Sequence, residues 1–232
     1  MKKPDQDRKA GFSRRDLFKR AGALGVTAAG AALIPPSAIE AAQPQAASPA
    51  APQTELLHAV QALTSQQFAT LTAITGRIVP TDENGPGAIE AHASTYIDRA
   101  LTSHYAYQKD NYTANLSVLD DYCKATYQDS FAALPPEKQD AILTAMEGNK
   151  VDKSFGFAPD ARTFFNLVLE HTQEGMFSDP YYGGNANFIG WDLLDFPGVK
   201  LEFTEEEQGL NFPIVKAHRS TYSYNMFKER KQ

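Results

Sequence analysis

The chain has 232 residues, enough for one domain plus a targeting segment, and its 42% hydrophobic and 22% charged content is that of an ordinary globular protein. Residues 1–42 hold eight of the 22 basic and four of the 28 acidic side chains, leaving 14 against 24, a formal −10. That acidity excludes nucleic-acid binding, which needs a basic footprint, and a single cysteine, Cys123, excludes an internal disulfide, covalent c-type haem and a multi-cysteine iron–sulfur cluster.

The N-terminus reads as an address. Ser13-Arg14-Arg15-Asp16-Leu17-Phe18-Lys19 has the form of a twin-arginine export signal, and the weakly apolar run Ala21–Ile34 behind it is shorter than the roughly 20 residues a bilayer span needs. Small residues then offer cleavage sites, and a Pro/Ala-rich linker follows. The expected division is a signal segment over 1–42, a linker over 43–54, a helical domain over 55–200 and a tail over 201–232. A twin-arginine signal implies contact with the twin-arginine translocation machinery, a periplasmic destination and export in a folded state.

Thr64 and Gln67 form a capping-box pattern, and Leu63 and Phe68 a hydrophobic staple. Phe68, Leu71, Ile74 and Ile78 then repeat at helical steps up to Pro80. Asp82 and Glu83 before Asn84-Gly85 lack the alternating ligand spacing of a calcium loop and read as a turn. Ala88–Leu101 reads as a helix with Ile89, Ala93, Tyr96, Ile97 and Ala100 on one side. Tyr107–Tyr127 reads as a helix burying Tyr112, Leu116, Leu119, Tyr122 and Cys123. Pro135-Pro136-Glu137 opens a helix that Gly148-Asn149 stops, and Asp160 can cap one over Ala161–Glu174. Strand signals are weak throughout. The expected fold is mostly α: a single compact domain of about five helices with a long loop and an extended C-terminal tail.

The loop, Gly175–Gly198, fits no helical or strand period. It holds the only tryptophan, Trp191, with Phe188, Phe196, Tyr182 and the turn pairs Asp179-Pro180, Gly183-Gly184 and Pro197-Gly198. A loop this aromatic must bury its side chains against its own scaffold or a partner. The tail beyond it mixes aromatic and basic residues, a pattern that suits a solvated tail or one ordered on a partner.

The string Asp179-Pro180-x-Tyr182-Gly183-Gly184-Asn185, then Gly190-Trp191, then Phe196-Pro197-Gly198 resembles the signature of the gluconate 2-dehydrogenase subunit 3 family. Ile78-Val79-Pro80-Thr81-Asp82, Pro86-Gly87-Ala88 and Tyr96-Ile97-Asp98-Arg99 extend the resemblance over most of Ser65–Gly198. It implies a small, non-catalytic subunit of a membrane-associated FAD-dependent sugar, sugar-acid or polyol dehydrogenase. Its partners would be a flavin-bearing large subunit and a cytochrome c subunit carrying haem c. No cofactor is expected in this chain, which has no G-x-G-x-x-G, no phosphate loop and no C-x-x-C-H. The signature residues are expected to structure the loop or contact a partner.

The best enzyme-like alternative is a stand-alone exported metal-assisted enzyme built on His171, Glu174 and Asp179. His171 and Glu174 share a helical face, but no H-E-x-x-H accompanies them. A histidine satisfied within the core, and an Asp179 that accepts backbone N–H groups in a turn, are the simpler expectations.

Overall fold

A computed structural model describes residues 60–209, 213 and 215–224. The signal residues Ser13, Arg14, Arg15, Leu17, Phe18 and Lys19, the linker and the last eight residues lie outside the described residues. Among the described residues there are six α-helices and no strand: α1 (Ser65–Ile78), α2 (Ala93–Ala100), α3 (Lys109–Tyr127), α4 (Pro136–Glu147), α5 (Ala161–Phe177) and α6 (Ile189–Leu193).

Local chemistry sets the helix ends. Thr64 Oγ1 accepts from Gln67 N and Gln67 Oε1 accepts from Thr64 N, so the capping box forms as the sequence predicts. Asp160 caps α5 by accepting from Thr163 N at 3.0 Å. Pro136 sits at the first turn of α4, where a missing N–H costs nothing. Asn149, at φ 52°, supplies the left-handed turn after it. Asp82 and Gly85 exchange both backbone hydrogen bonds, so that segment is a turn.

α2 is shorter than its predicted span. His92, at φ 57°, breaks the helical path, and α2 starts at Ala93. Ile89 therefore leaves the buried face and is 54% exposed. Tyr122 of α3 is only half-buried, whereas Tyr112, Leu116, Leu119 and Cys123 are buried as expected.

α1 lies against α2, α3, α4 and α5, and α5 also packs on α2, α4 and α6. Leu71, Ile74, Ile97, Leu116, Leu119, Phe131, Ile142, Leu143, Phe164 and Phe165 fill the space between. Removing this apolar area from water is the main stabilising contribution. Two buried carboxylates tie the periphery down. Asp98 accepts the N–H groups of Gln61, Ala62 and Leu63, and Asp120 accepts from Gln66, Thr70 and the Phe131 N–H. Both are fully hydrogen-bonded, the condition under which a buried charge is tolerated.

Candidate functional site

Gly175–Gly198 is not the continuous irregular loop that its sequence suggests. α5 carries on to Phe177, and the short helix α6 follows two single 3-10 turns, Pro180–Tyr182 and Ala186–Phe188. The helical period is invisible because α6 is five residues long and is entered from three left-handed residues, Asn185, Asn187 and Phe188.

The loop folds back on the helix it leaves. Asn185 N donates to Gly175 O at 2.7 Å, and Ala186 N donates to Ala91 O at 3.1 Å. The Asn185 side chain, fully buried, donates from Nδ2 to Ser178 O and accepts from Gly190 N, both at 2.8 Å. The backbones come close enough to demand glycine. A Cβ on Gly184 would lie 2.2 Å from Gly175 O, and one on Gly190 would lie 1.7 Å from Met176 O.

Trp191 is buried, donates from Nε1 to Phe177 O at 2.9 Å, and packs against Phe188 and Phe196. Phe188 is held at φ 63°, an unfavourable conformation for a bulky residue. Its ring stacks on His218 at 4.9 Å.

Asp179 joins loop to tail. It accepts from Tyr181 N, from the Ser220 hydroxyl at 2.7 Å and from Thr221 N at 2.7 Å. Burial pushes its carboxyl up, but these hydrogen bonds outweigh burial and hold it below the ordinary aspartate range. His218 Nε2 lies 2.8 Å from Asp192, and Lys216 pairs with Asp195 at 3.0 Å. The His218 hydrogen bond holds the Asp192 carboxyl down. Val199 N donates to Arg219 O, Ala217 N donates to Pro197 O, and the rings of Tyr222 and Tyr181 stack nearly parallel. Residues 215–224 thus lie as a strap across the loop. Gly198 is buried beneath it and Pro197 is half-buried.

Between strap and loop runs an open groove of about 470 Å³ lined by Phe177, Trp191, Phe196, Val199 and Thr221, with Asp179 and Asp195 at its edge. Two carboxylates and no cationic lining side chain do not suit the diphosphate of a dinucleotide. The large exposed apolar residues concentrate here. Tyr181, Tyr182, Leu194, Phe196, Leu201, Phe203 and Val215 are exposed, and among the described residues only Ile89 and Tyr107 join them from elsewhere.

His171 and Glu174 belong to a separate polar seam inside the bundle. The Tyr112 hydroxyl meets His171 Nδ1 at 2.9 Å, and Tyr105 stacks on the imidazole at 4.1 Å. Burial lowers the His171 pKa, with Glu174 and Glu170 pulling the other way. The hydroxyls of Tyr96 and Tyr105 each donate to Glu174 at 2.8 Å. Burial first, then the bond to Glu174, pushes Tyr105 up to about 12 and Tyr96 higher still. His171 and Glu174 are therefore engaged with tyrosines, whereas Asp179 is engaged with the strap. Among the described residues no group of three or more His, Cys, Asp or Glu is placed to hold a metal ion.

Sequence reasoning does not reach Tyr105, Ser220, Thr221 or Asp98 as partners in these networks. Tyr96 and Asp98 do lie in a motif it singles out.

A search of curated proteins finds no match, and a search of solved structures finds none. The family description "Gluconate 2-dehydrogenase subunit 3" matches residues 65–198, from the first residue of α1 to the glycine beneath the strap. The chain belongs to the gluconate 2-dehydrogenase subunit 3 family, whose members are accessory subunits of a multi-subunit dehydrogenase complex.

Proposed function

We propose that this chain is the small, non-catalytic subunit of a periplasmic, membrane-associated FAD-dependent sugar, sugar-acid or polyol dehydrogenase. In this reading it carries the folded flavin-bearing subunit through the twin-arginine translocation machinery and then stays bound to it. FAD, the catalytic base and the substrate pocket belong to the large subunit, and haem c to a cytochrome subunit. Binding the folded partner and not its unfolded chain stabilises that partner by mass action.

The observation that carries the reading is the exposed aromatic and aliphatic surface of the signature loop and the segment after it. Leu194, Phe196, Leu201 and Phe203 stand out to solvent, although the loop behind them is fixed by buried hydrogen bonds and by Trp191. A rigid scaffold presenting large apolar side chains is the anatomy of a docking face. In the polar seam at His171, Tyr112 engages the imidazole and Tyr96 and Tyr105 engage Glu174, contacts that support a structural role there.

Replacing Arg14 and Arg15 by Lys tests the export role. Dehydrogenase activity should remain in the cytoplasm of cells carrying that variant, and unchanged periplasmic activity would reject it.

A further inference from the structure

We infer that Arg99 is a contact point for the dehydrogenase partner, its guanidinium taking an aspartate or glutamate carboxylate of the flavin-bearing subunit. This rests on the subunit reading above and adds to it a residue and a chemistry. Arg99 is on α2, and the turn Pro180–Tyr182 of the signature loop packs against that helix. The side chain passes directly over Gly183, so that a Cβ there would lie 2.7 Å from one guanidinium nitrogen and 2.8 Å from Cδ. Gly183 is also left-handed, at φ 99°. The glycine pair that marks the loop thereby divides its duties: Gly184 lets the backbone approach Gly175, and Gly183 leaves room for Arg99.

Arg99 is half-buried, and among the described residues its guanidinium makes no hydrogen bond or ion pair. Two other arginines of the domain differ. Arg77 is spent on a bidentate pair with Asp140, and Arg162 on the carbonyls of Glu147 and Gly148. In a chain with 14 basic against 24 acidic groups beyond residue 42, a half-buried arginine without a carboxylate among the described residues is out of balance. Its five donors lie in a fork that fits a carboxylate bidentately.

Its flank has the composition of an interface centre. Tyr181 and Tyr182 are each 50% exposed, and Tyr181 is braced by the stacked ring of Tyr222. Arginine and tyrosine are the residue types that dominate binding energy at protein interfaces. A carboxylate paired with Arg99 beside Gly183 would add charge complementarity, which raises the association rate and specificity.

The test uses the full-length chain and the flavin-bearing subunit it assembles with, and two variants. Arg99→Gln keeps a polar side chain and removes the charge. Its affinity for the subunit should fall at least ~10-fold at low salt, and the gap should narrow as salt rises. Arg99→Lys supplies a primary amine at the same place. A zero-length carbodiimide should then join the position-99 amine to an acidic residue of the dehydrogenase subunit, identified by mass spectrometry. Arg99→Gln binding as tightly as the wild type at both salts, or no such link in Arg99→Lys, overturns the assignment. Should Arg99→Gln fail to fold, the link decides alone. A wild-type chain that forms no complex with the flavin-bearing subunit contradicts the subunit reading itself, a distinct result.

Discussion

The Asn185 side chain accepts the backbone N–H of Gly190 at 2.8 Å, and by this one bond the start of α6 is tied to the Gly-Gly turn. Its amide also donates to Ser178 O, and the Asn185 side chain itself is fully buried. Asn185→Ala would leave two backbone groups unpaired and place alanine at φ 44°. It is expected to lower stability by about 2–4 kcal/mol. Urea unfolding followed by the fluorescence of Trp191 measures this directly.

His171 should make stability depend on pH. Its folded-state pKa is lowered, chiefly by burial, so the unfolded chain binds the proton more readily. The contribution of neutral His171 is fully present above the ordinary histidine value near ~6.5 and is lost as pH falls below it toward the folded-state value. Tyr105, Tyr112, Glu174, Glu170 and His104 face the ring, and the two glutamates soften the effect. The stability of the wild type minus that of His171→Gln should therefore fall between neutral pH and ~5. A difference flat across that range would contradict the assigned direction.

Asp98 holds the approach to α1. Three consecutive N–H groups, from Gln61, Ala62 and Leu63, converge on its carboxylate at 2.6–3.0 Å. Asp98→Ala should cost about 2–4 kcal/mol and release that segment. Limited proteolysis would register the release as new cleavage around Gln61–Leu63, with the remaining domain intact.

Asp179 fastens the strap. Asp179→Ala removes the acceptor for the Ser220 hydroxyl and Thr221 N–H and leaves the His218–Asp192 contact untouched. Amide hydrogen exchange at Thr221 and Val199 should rise, while amides of α1 and α3 keep their protection. Acid should act likewise. The Asp179 carboxyl sits below its ordinary value, so its contribution is present above ~3.9 and is lost as pH falls through the lowered folded value.

The helices were legible wherever the signal is local. Thr64 with Gln67, Asp160 and Pro136 mark starts through bonds or missing bonds within one turn of chain. The buried face of α3 shows in the spacing of Tyr112, Leu116, Leu119 and Cys123. Ile89 departs from the expected face because the break lies at His92, a single left-handed residue at φ 57° within a run that otherwise reads as helix. α6 was hidden because it is five residues long and because Phe188, a bulky residue, is held left-handed at φ 63°, a conformation its sequence does not announce.

At the site, the signature marks a stretch of sequence but not its wiring. Asp179 does accept N–H groups in a turn, yet its other partners lie some 41 and 42 residues along the chain. Tyr112 meets His171 across 59 residues. Contacts of that reach come from packing α3 and the strap against α5 and its loop, and no window of sequence contains them.

Affinity purification of the tagged full-length chain from its native cell, with flavin and dehydrogenase activity read in the eluate, bears most directly on the subunit assignment. The expected result is a flavin-bearing second polypeptide that co-elutes with sugar, sugar-acid or polyol dehydrogenase activity, and both flavin and activity leave with that polypeptide when the two are separated. Flavin or activity that stays with this chain alone, or an eluate with no dehydrogenase subunit, would contradict it.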